Sequence, residues 1–208
     1  MTVWEIILAA GFGVSAAACI VLFLRTVLMG EEYDPSVPKG RTFPAVLYSY
    51  TGAMSPFKKE TANRHWLTYT AGILYHGGIF FSFFWLLIRM LPVDPPDSVF
   101  MPSFCILCIT SISGMAILVK RMSSRKMRSL SNPDDYLSNI MATGFQIITA
   151  ASLLSLAGQS LVYTYSAVLF IYIPVGKLRH AVFFPLTRIY LGLHYGRRGV
   201  WPPARSDT

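Results

Sequence analysis

The sequence predicts an all-α integral membrane protein: a bundle of five transmembrane helices, with the N-terminus outside and the C-terminus cytoplasmic. Three observations carry this. The 208 residues are 53% hydrophobic and only 13% charged, whereas a soluble domain carries about 25% charged residues. Apolar runs long enough to cross the hydrocarbon core, which takes about 20 residues, recur along the chain. All basic residues except Arg89 lie at the end of the first run or in three polar segments that alternate with the others.

The first span is expected over 4–28, with Arg25 able to snorkel at its end. It lacks the positive leader of a signal peptide and is longer than the usual apolar core of one, so it reads as a retained helix. The second span is expected over 66–91 and the third over 100–119. No charge occurs from Tyr136 to Gly176, a stretch too long for one helix and sufficient for two. The small and polar residues Ala157-Gly158-Gln159-Ser160 supply the hairpin, giving spans over 136–157 and 161–184. Residues 185–208 form a cytoplasmic tail, and 1–208 is a single membrane domain.

Orientation follows from charge. The connection 29–65 carries Lys39, Arg41, Lys58, Lys59 and Arg64. The loop after the third span carries Lys120, Arg121, Arg125, Lys126 and Arg128. The tail region carries Lys177, Arg179, Arg188, Arg197, Arg198 and Arg205. The remaining connections have no basic residue, which sets the basic ones inside. The net charge of +8 is therefore a topology signal. It excludes nucleic acid as a partner, because the cations flank apolar runs rather than line a groove. Cys105 and Cys108 form a C-x-x-C inside FCILCIT, an apolar setting without the access and polarity that a redox dithiol needs. No cysteine framework for an iron–sulfur cluster is present.

Two histidines fall within apolar runs. His76 lies about 15 Å, ten residues, from the cytoplasmic end of the second span. His180 lies near the cytoplasmic end of the fifth. Ionisable residues at membrane depth mark function. Two imidazoles from antiparallel helices can ligate a haem iron from both sides. Equally, each can bond a carbonyl or hydroxyl between helices. For a haem, Gly72, Gly77 and Gly78 would let a flat macrocycle approach, and Lys177, Arg179 and Arg64 would meet its propionates. Pro174 would bend the fifth span and aim His180. A proton channel using histidine relays would need acids at depth, and the spans contain none beyond Glu5 at the edge.

The stretch YHGGIFFSFFWLLIRMLP around His76 and YIPVGKLRH ending at His180 resemble the second and fifth spans of the respiratory nitrate reductase gamma-subunit family of membrane cytochromes b. They resemble still more closely the homologous subunit of transmembrane redox complexes of sulfate reducers. There, the subunit pairs with an iron–sulfur protein similar to the catalytic subunit of heterodisulfide reductase. The resemblance implies His76 and His180 as axial ligands of the cytoplasmic-side haem b. The family's second, outer haem would need histidines near Leu86 and Val162, and neither position has one. One haem b rather than two is therefore expected, with a quinone as a further candidate ligand.

The implied role is a non-catalytic electron-transfer subunit in a bacterial or archaeal cytoplasmic membrane. It would pass electrons between a quinone pool or neighbouring membrane subunit and a cytoplasmic iron–sulfur subunit. The alternative is a haem-free membrane anchor of such a complex, with the two histidines joining helices.

Overall fold

The computed structural model describes residues 2–30, 36–56 and 64–203. Among them the chain is helical and has no strand. The helices are α1 (Val3–Leu28), α2 (Thr42–Tyr50), α3 (Trp66–Met90), α4 (Phe100–Ser123), α5 (Arg125–Ser129), α6 (Pro133–Leu153), α7 (Gln159–Val175) and α8 (His180–Arg197). Lys58, Lys59 and Arg205 lie outside the described residues.

Among the described residues three helices are long and apolar enough to cross a membrane: Val3–Leu28, Trp66–Met90 and Asp97–Ser123. A fourth is added if the broken pair Gln159–Val175 and Lys177–Arg197 is one span. The first three coincide closely with the expected spans. The helix α6 begins earlier than the expected span because Asn132-Pro133-Asp134-Asp135 starts it. The Asn132 side chain accepts the Asp135 N–H and the Asp135 carboxylate accepts the Asn132 N–H, a capping box with proline in the first turn. Its buried face carries Ser138, Thr143, Gln146, Thr149 and Ser152 beside Ala142, Phe145, Ala150 and Leu153. A helix that faces other helices rather than lipid can be this polar.

The expected fifth span, 161–184, is interrupted. The helix α7 stops at Val175, Gly176 caps it in an extended conformation, and Lys177–Arg179 form a 3-10 turn before α8. Pro174 in the last turn of α7 removes a backbone donor, so the helix ends at little cost there. The helix α8 then runs on to Arg197, so much of the expected tail is helical. The connection 29–65 likewise contains α2.

The chain packs as two compact units, residues 1–18 with 67–178, and residues 19–66 with 179–208. In the first, α6 is the most buried element, and small residues bring its neighbours close. A Cβ on Gly78 would collide with Thr110 and Gln146, and one on Gly114 would lie 2.5 Å from the Tyr75 ring. Gly11 of α1 sits against Ala167 of α7. Phe83 packs between Phe145 and Phe170, with ring centroids 4.9 and 5.7 Å away.

In the second unit α2 lies along α8. Gly192 faces the Val46 backbone and Gly196 faces Ala45 and Thr42. The Ser49 hydroxyl is 2.7 Å from the Arg188 carbonyl, and the Lys39 N–H donates to the Arg197 carbonyl at 2.8 Å. Gly199, at φ +70, follows the end of α8 in the left-handed conformation that glycine adopts without a Cβ penalty. Trp201 closes the unit against Tyr48 and Tyr195.

Gly78→Ala is expected to destabilise the detergent-solubilised protein by about 1–3 kcal/mol, the usual cost of overpacking. Gly77→Ala, where an added Cβ meets nothing within 4 Å, is expected to be neutral. Thermal unfolding of the two variants checks the contrast.

Candidate functional site

The helix α3 turns Tyr75 inward and His76 outward. Tyr75 is 8% exposed and joins a polar seam, while the next residue, a helical step of about 100° around, is exposed. The His76 Nδ1 lies 2.7 Å from the Gly72 carbonyl oxygen. A carbonyl only accepts, so Nδ1 is the donor in this bond, the arrangement by which a backbone carbonyl orients a ligating histidine. A Cβ at Gly72 or Gly77 would meet nothing within 4 Å among the described residues, so the backbone of α3 on either side of His76 stands clear there. Gly78 differs from expectation: it points inward and packs on Thr110 and Gln146.

His76 and Lys177 belong to the first unit; Arg64, Arg179 and His180 belong to the second. His180 is the first residue of α8 and is exposed, as are Arg179 and Arg64. Lys177 is engaged by an acid: its Nζ donates to Asp135 Oδ1 at 2.6 Å. Arg121 Nη1 lies 3.4 Å from the same oxygen and donates to Ser131 Oγ at 2.9 Å. Beside them Tyr172 donates to Asp134, and Ser138 Oγ lies 2.8 Å from the Tyr172 hydroxyl. Burial pushes the Asp135 carboxyl up, but the Lys177 ammonium, the Asn132 N–H and the Arg121 guanidinium outweigh it and hold the group below its ordinary value.

Two buried features carry little signal in composition. One is the seam of α3, α4 and α6. Tyr75 donates to the Asn139 carbonyl at 3.1 Å, Thr143 lies 3.2 Å from the Tyr75 hydroxyl, and Gln146 Nε2 donates to the Tyr75 carbonyl at 3.3 Å. Asn139, Thr143 and Gln146 recur at helical spacing on one face of α6, which was the available signal. The other is Arg89, the lone basic residue away from the basic segments. Its Nη2 donates to the Ser152 carbonyl at 2.9 Å and to Ser152 Oγ at 3.0 Å. A cation there satisfies one of the C-terminal carbonyls of α6, that of Ser152. The Arg89 carbonyl accepts from Tyr163, which accepts from Gln159 at 2.7 Å.

Leu86 and Val162, where an outer pair of haem ligands would be needed, are 4% and 1% exposed and share one buried apolar cluster with Leu8, Phe145, Tyr163 and Leu169. Among the described residues no group of three or more His, Cys, Asp or Glu side chains is placed to hold a bare metal ion. A bis-imidazole haem needs only two.

The depressed Asp135 group contributes stability that is present above the unfolded-state carboxylate pKa and is lost as pH falls through the lower folded-state value. Thermal stability should therefore fall with acidification through that window, and Asp135→Asn should flatten this part of the profile while lowering stability at neutral pH. Melting temperatures of both proteins from neutral to acid pH check the sign.

Comparison of the chain with family models, with curated proteins and with solved structures finds no match, so its function is read from its own residues.

Proposed function

We propose that the chain is a membrane cytochrome b-type subunit of a respiratory redox complex, with one haem b held by His76 and His180. In this reading residues 1–208 form one five-span membrane domain with the N-terminus outside and the C-terminus cytoplasmic, in a bacterial or archaeal cytoplasmic membrane. The charge asymmetry of the connections supports that orientation. A b haem supplies one-electron transfer.

The observation that carries the reading is at His76. Its Nδ1 donates to the Gly72 carbonyl, which orients the ring as carbonyl-bonded histidine ligands are oriented, and an added Cβ at Gly72 or Gly77 would meet nothing within 4 Å among the described residues, which supports room for a flat macrocycle. His180 pairs with it on the sequence argument. The apolar cluster containing Leu86 and Val162 supports one haem rather than two. Arg179 and Arg64 are the cations proposed for the propionates. Lys177 can join them only by sharing the charge that Asp135 already engages.

Electrons would pass between the membrane, through a quinone or a neighbouring membrane subunit, and a cytoplasmic iron–sulfur subunit resembling heterodisulfide reductase. The protein's part is to bind, orient and bury the redox group and tune its surroundings. No substrate is transformed on its own side chains.

Reduced-minus-oxidised visible spectra of the purified chain test this. The wild type should show low-spin b-type bands, His76→Ala and His180→Ala should lose them, and His194→Ala should keep them. Normal bands in His180→Ala overturn the ligand pair. Absence of bands in the wild type, with the complex still assembled, assigns the chain as a haem-free anchor.

A further inference from the structure

We propose that the end of α4 and the short helix α5 bind an anionic phospholipid, with Arg125, Lys126 and Arg128 holding its phosphate and the outer stripe of α4 lying along its acyl chains. The inference needs the chain to lie in a bilayer and is independent of any haem.

The argument starts from where five neighbouring cations go. Lys120 donates to Thr68 Oγ1. Arg121 turns onto Ser131 and Asp135. The other three lie on α5, which begins after Ser124 leaves the helical conformation and whose Met127 N–H donates to Ser124 Oγ at 3.4 Å. Arg125, Lys126 and Arg128 are exposed, and no side-chain hydrogen bond or ion pair reaches them among the described residues. The acids nearest along the chain are committed elsewhere, Asp134 to Tyr172 and Asp135 to Lys177 and Arg121. Three positive charges within one helical turn thus stand without a compensating carboxylate.

The chemistry next to them is apolar. In the second half of α4 the large exposed apolar side chains are Ile109 (57%), Ile112 (60%), Met115 (42%), Val119 (59%) and Met122 (54%), at steps of three or four residues that make one stripe. Leu130, 74% exposed, flanks the cations on the far side. A hydrocarbon stripe one helix long that ends at a cation triad has the charge and polarity profile of a lipid: acyl chains, then phosphate. A soluble acidic partner would meet the triad but leave the stripe beside it uncovered. Polybasic segments at the end of a membrane helix recognise anionic headgroups, each Lys or Arg contributing about fivefold in affinity at moderate salt.

Native mass spectrometry of the purified full-length chain, titrated with phosphatidylglycerol or phosphatidylcholine, tests the proposal. The wild type should bind phosphatidylglycerol more tightly. The combined variant Arg125→Gln, Lys126→Gln, Arg128→Gln should lose about tenfold or more of that affinity while phosphatidylcholine binding is unchanged. The preference should shrink as salt rises. Lys126→Gln alone, a single exposed change, should give a partial loss and covers the case in which the triple variant misfolds. Equal affinity for the two lipids in the wild type, or an unchanged preference in both variants, overturns the proposal. So does a triple variant that keeps its lipid preference but no longer recovers a protein partner. Visible spectra of the triple variant should match the wild type, which separates this result from the haem reading.

Discussion

The polar face of α6 is the constraint around which the first unit is organised. An amide or hydroxyl buried without a partner costs about 1–3 kcal/mol by mutational measure, and α6 buries several. Thr149 and Ser152 are settled within the helix, by the Phe145 and Thr149 carbonyls. The others must look outward. Gln146 and Thr143 reach Tyr75 on α3, and Asn139 reaches the Gly114 carbonyl on α4. Those bonds require the side chains of one helix to lie directly on the backbone of the next, as Thr110 and Gln146 do at Gly78 and Tyr75 and Thr143 do at Gly114. Helix proximity, glycine placement and polar satisfaction are one requirement expressed three ways.

The same helix is fastened at both ends by charge. Its first turn holds Asp134 and Asp135 under Tyr172, Lys177 and Arg121; its last carbonyls receive Arg89. Acids at an N-terminus and a cation at a C-terminus both oppose the helix dipole favourably. Between these fixed ends the inward direction of Tyr75 is determined, and with it the outward direction of His76. The orientation of the candidate ligand therefore depends on groups that never approach it.

The first three long helices were legible because spanning a bilayer requires some twenty apolar residues in a row, and that is a property of composition over a window. The start of α6 was placed too late, at 136, because the span was drawn from the charge-free run and the capping residues Asn132-Pro133-Asp134-Asp135 lie before it. In the fifth span a bend at Pro174 was legible, but the full stop at Gly176 was not, because hydropathy is continuous across it while the interruption is a local matter of an extended glycine. The helix α2 was hidden by length: Thr42–Tyr50 is too short to cross, so it passed as connection, though Ala45 and Ser49 alternate with exposed Phe43 and Leu47 as a helix requires. Of the candidate site, His76 was legible as an ionisable group in an apolar run. The bond of Lys177 to Asp135 was not legible, because its carboxylate partner lies 42 residues away and sign alone does not reveal pairing.

The Lys177–Asp135 bond has a consequence for biogenesis. The helix α6 leaves the ribosome before the lysine that neutralises its first turn, and its polar face makes it a weak candidate to partition into lipid by itself. The helix α7, which is joined to it by only a few residues and carries no charge, supplies the missing apolar surface. The first turn of α6 is thus neutralised only after α7 has been made, so the lysine that closes the pair arrives last.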